Sequence, residues 1–414
     1  MKNAKIWLIG TLATATLAAA WFATRPAAFA QPVTIAPLPP GAAKTGDPAA
    51  DAKAAIDKAL AYLKSKQNKD YTWGEGDICP ALTGLCIKAF IQSGVDPDTQ
   101  FLDKALEALI AFQKATGGIY TQSLAAYNTA IAISALASAP GEEELKEPLK
   151  KALEYLKSLQ WRDTIQGLPN DEQVKPGDVR GGGWGYGGGK TGRPDMSNVN
   201  MAMDALHDAG LPKDSPEYKR VLEFLTHCQN NSETNKDPDG FKSGDDGGSF
   251  YSPANKGMSP AGEYTDASGN RMLRSYGSMT YAGLKSMIYA GLSKDDPRVK
   301  AAFAWITKNW TMDRNPGMEV ADPKAAESGL FYYYHTMARA LRAYGQPVIT
   351  DDKGNQHDWR LELIAKLASL QKPDGSWEGH DKWMESNPQI VTAMAVLALQ
   401  EVQADLKDHP ANAK

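Results

Sequence analysis

One motif recurs along this 414-residue chain and constrains its fold more than any other feature. An amphipathic helical stretch ends at Gln or a similar residue, a glycine-rich turn carries an aromatic residue, and a second, more apolar stretch follows. The clearest copy is the last: Leu370-Gln371-Lys372-Pro373-Asp374-Gly375-Ser376-Trp377, then Ile390 to Val402. Earlier copies read Gln67 to Trp73-Gly74, Phe112-Gln113 to Gly117-Gly118-Ile119-Tyr120, Leu159-Gln160 through Gly182-Gly183-Trp184, and Cys228-Gln229 through Gly247-Gly248-Ser249-Phe250. A weaker copy runs from Asn309-Trp310 to Gly329-Leu330-Phe331. Self-similarity of this kind marks like units that bury their faces on one another.

The two stretches of each copy differ in character. The first kind, such as Asp103-Lys104-Ala105-Leu106-Glu107-Ala108-Leu109, alternates charged and apolar residues at helical spacing, so one side is wet. The second kind, such as Thr392-Ala393-Met394-Ala395-Val396-Leu397-Ala398-Leu399, is apolar nearly all round and must be buried. Two concentric layers follow, with dry inner helices and amphipathic outer ones. Six such pairs can close a ring, which removes the exposed ends that an open solenoid must cap. The expected fold is all-α, an α/α toroid (α6/α6 barrel) of about six helix pairs over residues 51–405. Residues 406–414 form a short tail.

The N-terminus reads as an export signal. Lys2 and Lys5 precede an apolar stretch from Ile6 to Ala23, and Ala28-Phe29-Ala30 offers small residues for cleavage before Gln31. Residues 1–30 are thus expected to be a signal peptide and 31–50 a linker rich in Pro, Ala and Gly. The predicted location is periplasmic or extracellular. The alternative is an anchor made of the same segment, because its length approaches a membrane span. No second candidate span follows, so the cleaved protein is not expected to be integral to a membrane. A net charge of -4 gives no basic excess to attract nucleic acid. Cys79 and Cys86 lie roughly 10 Å apart along one helix, too far for a bridge. Buried thiols are expected, with a pairing of either to Cys228 left open.

The Gln…Asp-Gly-Ser-Trp turn resembles the QW-type repeat of squalene and oxidosqualene cyclases and of protein prenyltransferase β subunits. The resemblance extends from about Asp51 to Gln403, and it implies the toroid fold. It also implies two catalytic constellations, and both are degenerate. The cyclases protonate an alkene or epoxide with an acidic Asp-x-Asp-Asp run that opens an inner helix. The counterpart here is Pro194-Asp195-Met196-Ser197-Asn198, which keeps only Asp195 and places Ser197 at the donor position. Asp195 then reads as a helix N-cap. The transferases hold zinc with Asp, Cys and His; Tyr334-His335-Thr336 matches the histidine motif, but Tyr276-Gly277-Ser278 stands where Asp-Gly-Cys belongs. No zinc site is expected, and His335 and Asp195 remain the catalytic candidates. The transferases grip a diphosphate with a basic pair at the place of Arg271 and Arg274; a solvated loop pair, or salt bridges to Asp245, Asp246 or Glu263, is the other reading. Tyr332-Tyr333-Tyr334 reads either as an aromatic cavity wall or as packing of the ring.

Two glycine-rich insertions complete the inventory. The segment from Arg180 to Lys190 carries Trp184 and Tyr186, which could stack on a sugar or an isoprene chain. It lacks the Gly-Lys-Ser/Thr ending of a phosphate loop. Asn235, Asp237, Asp239, Ser243 and Asp246 fall at the spacing of an EF-hand-type calcium loop with Gly240 at its sixth position; a polar surface loop is the other reading. The reading is an exported toroid that binds an isoprenoid, lipid or other apolar ligand centrally, with Arg271, Arg274 and His335 marking the cavity's polar end. The alternatives are a non-catalytic envelope scaffold and a carbohydrate-active, polysaccharide-lyase-like toroid. Whether the chain is an enzyme is left open.

Overall fold

Helix starts follow local capping chemistry. Asp47 accepts hydrogen bonds from the amides of Ala49 and Ala50, and Pro48 occupies the first turn. Helix α1 (Pro48–Ser65) therefore begins one turn before the expected Asp51. The computed structural model describes residues 46–162, 174–187, 193–236 and 240–411. The expected signal peptide and nearly all of the linker lie outside the described residues.

Twelve α-helices are described, and they alternate between two layers. The inner ones are α2 (Cys79–Gln92), α4 (Ala125–Ala137), α6 (Met196–Asp208), α8 (Gly277–Tyr289), α10 (Leu330–Tyr344) and α12 (Pro388–Asp408). The outer ones are α1, α3 (Gln100–Ala111), α5 (Glu143–Ser158), α7 (Pro216–His227), α9 (Pro297–Lys308) and α11 (Trp359–Leu370). Each inner helix packs on the next, and α12 returns to α2, so the ring closes as an α/α toroid. Two short antiparallel hairpins are additions: β1 (Glu263–Thr265) with β2 (Arg271–Leu273), and β3 (Val348–Thr350) with β4 (Gln356–Asp358). Among the described residues no helix is long and apolar enough to cross a membrane. Cys79, Cys86 and Cys228 are buried free thiols, so the open pairing to Cys228 does not form.

The repeated glutamine has one job in every copy that carries it. Its side-chain amide donates to a carbonyl of its own turn and to a carbonyl of the next outer helix. Gln113 bonds Gly117 (3.1 Å) and Pro148 of α5 (2.8 Å). Gln160 bonds Gly182 (2.9 Å) and Glu217 of α7 (3.0 Å). Gln229 bonds Gly247 (2.9 Å) and Arg298 of α9 (2.8 Å). Gln67 reaches Phe101 of α3, and Gln371 reaches Ala55 of α1, joining the last repeat to the first. The fifth copy has no glutamine; there Trp310 donates to Glu362 of α11 at 2.9 Å. The turn tryptophans close the opposite gap. Trp73, Trp184 and Trp377 donate to Leu63, Leu156 and Leu367, carbonyls at the ends of their own outer helices.

The turn glycine is needed for space as well as backbone. At Gly182, with φ +82°, a Cβ would lie 1.9 Å from the Arg220 carbonyl oxygen of α7. Gly117, Gly247 and Gly375 meet the next outer helix in the same way, at 2.3–2.4 Å.

Charged residues cross-link the inner helices in their C-terminal halves. Arg339 of α10 contacts Asp208 (2.7 Å) and Asp204 (3.4 Å) of α6 and Glu401 of α12 (3.5 Å). Lys88 of α2 pairs with Asp208, and the fully buried Lys285 of α8 pairs with Asp204. Five of the six inner helices thus share one ionic cluster, and Asp208, Arg339 and Glu401 also line a polar cavity of about 430 Å³ at that end of the barrel. Leaving one buried charge of such a set unpaired costs several kcal/mol.

The glycine contacts make a graded prediction. Gly210, with φ +71°, has nothing within 4 Å of a would-be Cβ. Gly210→Ala should therefore cost only about 1 kcal/mol for its left-handed backbone. Gly182→Ala should cost about twice that or more, because α7 must move as well. Gln160→Ala, which unpairs two carbonyls, should cost about 1–3 kcal/mol. Denaturant midpoints at unchanged m-value check the order; equal costs at the two glycines would contradict the packing account.

Candidate functional site

The other end of the barrel is hollow. First-turn and second-turn residues of the inner helices surround a cavity of about 620 Å³. Its side walls include Leu82 and Leu85 of α2, Ile131 of α4, Met279 of α8, and Ile390 and Met394 of α12. Five tyrosines also line it: Tyr127, Tyr186, Tyr251, Tyr276 and Tyr332. The segments that precede the inner helices form its roof. Met258 and Pro260 come from the fourth turn, and Lys382 to Glu385 from the sixth.

The sixth-turn roof carries the site's most unusual group. Trp383 and Met384 adopt left-handed backbone, with φ of 56° and 66°, and are 48% and 45% exposed. The next side chain, Glu385, turns inward and is 2% exposed. Its Oε1 accepts from the amides of Phe331 and Tyr332 at the start of α10, both at 2.9 Å. Its Oε2 is buried without a hydrogen-bond partner. Burial pushes the carboxyl up to about 7, against the opposing pull of the helix amides. At neutral pH the cavity wall therefore holds a carboxyl poised between its charged and neutral forms.

The residues singled out from the sequence fall into three groups. Tyr186 and Tyr332 line the cavity. The Tyr186 and Tyr251 hydroxyls lie 3.4 Å apart, and Asn200 donates to the Tyr332 hydroxyl at 2.8 Å. Trp184, Tyr333 and Tyr334 are packing residues. Trp184 is fully buried on its outer helix, the Tyr333 hydroxyl donates to the Thr311 carbonyl at 2.8 Å, and Tyr334 reaches Met312. Asp195 caps α6, accepting from the amide and side chain of Asn198 at 3.0 and 2.9 Å. Its burial raises the carboxyl to about 6.

The expected polar end made of Arg271, Arg274 and His335 does not assemble. None of the three is among the described residues that line the cavity. Arg271 lies on β2, paired with Glu263 and donating to the Gly240 and Lys256 carbonyls. Arg274 stands over the Tyr264 ring, 4.8 Å from its centroid. His335 follows Tyr332 on the same face of α10 but one turn deeper. There burial pushes it down to about 3, a neutral imidazole beside the Asp204–Arg339 cluster. Of the calcium-loop candidates, Asp237 and Asp239 lie outside the described residues, and the others make hydrogen bonds within their turn. Asn235 donates to the His227 and Gln229 carbonyls, Ser243 to the Gln229 carbonyl, and Asp246 accepts from Gly248 and Ser275. Each is thus engaged by its own turn. No grouping of three His, Cys, Asp or Glu residues that could hold a metal occurs among the described residues.

Sequence reasoning missed Glu385, because its importance depends on where α10 begins. It also missed the ionic cluster, although a signal was present. Thr83 and Thr280 each bond the amide after the outer helix's turn, and Lys88 and Lys285 follow at the same offset in otherwise apolar helices.

The solved structures that align with this chain include proteins of two functional kinds. The type II terpene cyclase MstE from Scytonema, in complex with geranylgeranyl dihydroxybenzoate, aligns over 87% of this chain and 99% of its own, at 16% identity and a TM-score of 0.50. The chain has the toroid fold of the terpene cyclases. An unsaturated glucuronyl hydrolase specific for heparin aligns over 87% of this chain and 98% of its own, at 12% identity and TM-score 0.54. An α-1,6-mannanase from Salegentibacter covers 85% and 99%, at 10% identity and TM-score 0.54. No protein family and no curated relative matches the sequence. At these identities the shared feature is the fold.

The raised carboxyl makes stability depend on pH. Its ordinary value is 4.5, so between about 4.5 and 7 the folded protein holds a proton that the unfolded chain has released. The contribution of Glu385 to stability should fall as pH rises through that window and level off above it, while His335, kept neutral by burial, acts in the opposite direction. Glu385→Gln should remove this fall, which is on the order of 3 kcal/mol. Denaturant melts of both proteins at several pH values give the difference directly. The same slope in both would contradict the environment described for Glu385.

Proposed function

We propose that this protein is an exported toroid that binds an apolar, isoprenoid-like molecule in its central cavity. The supporting observation is the cavity itself: about 620 Å³, roofed by loops and walled mainly by aliphatic and tyrosine side chains. Sites for small apolar ligands occupy this size range and have this kind of wall.

Binding fits better than proton-initiated cyclisation. Ser197 is part of the cavity wall at the place where the cyclases carry their acid, and a hydroxyl cannot protonate an alkene. Glu385 is a weaker acid than an ordinary carboxyl, the wrong direction for that task. The carbohydrate-active reading has less support, because glycosidases of the common kind need two carboxyl groups across the bond. The described lining supplies one.

Native mass spectrometry of the protein purified without detergent, after incubation with geranylgeraniol, tests the reading. A one-to-one adduct and a raised Tm are expected. Both should be lost in Leu85→Trp, which fills the cavity. An unchanged apo mass with an unchanged Tm would overturn the proposal.

A further inference from the structure

The chemistry of the cavity wall narrows the ligand further, on the assumption that the cavity is a binding site. Glu385 Oε2 is a buried acceptor with no partner, and among the described residues no ammonium or guanidinium pairs with this carboxylate. Lys382 is the other charged residue of the lining. It belongs to the exposed roof, where its ammonium stands 5.7 Å from the Trp383 ring centroid. A carboxylate in so apolar a place is stabilised by a counter-charge.

The same wall is unsuited to an anion. Helix N-termini are ready anion sites only while their amides are free, and at this mouth each inner helix has at least one of its first amides already engaged. Asn128 accepts from Ala81 of α2, Asp195 from Asn198 of α6, Asn315 from Ser278 of α8 and Asn387 from Gln389 of α12. The amide of Ala126 in α4 bonds the Tyr186 carbonyl, and Glu385 takes the two amides of α10. No arginine is among the described lining residues. The walls otherwise present tyrosine rings, whose π-systems attract cations.

We propose that the cavity takes an amphiphilic organic cation, an alkyl chain with an ammonium head, whose charge sits against Glu385 while its chain lies among the aliphatic residues. A neutral hydrocarbon would leave the carboxylate unmatched. A carboxylate or phosphate head would meet it as a like charge.

Calorimetric titration with decyltrimethylammonium, decanol and decanoate, each below its micellar concentration, tests the assignment. At about pH 8.5 Glu385 is ionised and the quaternary head is permanently charged. The ammonium should bind at least about tenfold more tightly than decanol, and decanoate most weakly. Glu385→Gln should reduce the ammonium-to-alcohol ratio to about one, whereas Glu385→Asp, which keeps the charge, should retain part of it. Equal binding of ammonium and alcohol by the native protein, or a preference that survives in Glu385→Gln, would overturn the inference and leave the apolar-cavity reading standing. Binding of none of the three by the folded native protein would overturn both.

Discussion

The hydrogen bonds from each outer helix to the next are the constraint on which this fold depends. A glutamine at the end of one outer helix reaches a carbonyl of its neighbour, and Gln371 completes the circuit to α1. Neighbouring outer helices are held so close that the intervening turn has no room for a Cβ, as at Gly182 and Gly375. The spacing of the repeats is thus set by backbone-to-side-chain contact, and the number of repeats sets the ring. Where the glutamine is lost, the joint is rebuilt from different parts. Trp310 bonds Glu362, whose other oxygen holds His357 of β4 at 2.7 Å, and Lys366 reaches Asp313 at 2.8 Å.

A ring built this way forces every inner helix to run in the same direction. Their dipoles then add, with amide ends gathered at one mouth and carbonyl ends at the other. The distribution of charge follows that polarity. Carboxylates cap the amide end, Asp195 on α6 and Glu385 on α10. Lys88, Lys285 and Arg339 sit deeper, toward the carbonyl ends, with Asp204, Asp208 and Glu401 to match them. The barrel is consequently ionic at one end, where Asp208, Arg339 and Glu401 also line a polar cavity of about 430 Å³, and apolar at the other. His335 lies on the ionic side of that divide, and Tyr332 on the apolar side.

The repeat made the fold legible because it records contacts that every copy must make. Gln160 is explained by two hydrogen bonds, Trp184 by one and Gly182 by one close approach, so their spacing carries structural information. The candidate site was less legible for the same reason. Arg271 and Arg274 occupy the right place in the chain, but a hairpin absorbs Arg271 through Glu263, and such pairing is decided by tertiary contact. In Tyr332-Tyr333-Tyr334, only the first ring lines the cavity, because successive helical residues point about 100° apart. Glu385 falls outside the repeat altogether, in a stretch whose burial depends on the amides of a helix more than fifty residues earlier.

The placement of Glu385 follows from what the ring leaves free. Residues up to the turn aromatic are committed to joining outer helices, and the inner helices are committed to packing. The stretch between the aromatic and the next inner helix is free to reach the mouth. Tyr186, Tyr251, Met258 and Trp383 with its neighbours all come from such stretches, in the third, fourth and sixth copies. The sixth is held in place by its own polar group. Left-handed backbone at Trp383 and Met384 costs roughly 1 kcal/mol per residue, and the two charge-assisted bonds from Glu385 to α10 offset that cost. The group that anchors the roof is therefore also a charged group of the cavity wall, so replacing Glu385 changes both the charge of that wall and how firmly it is covered.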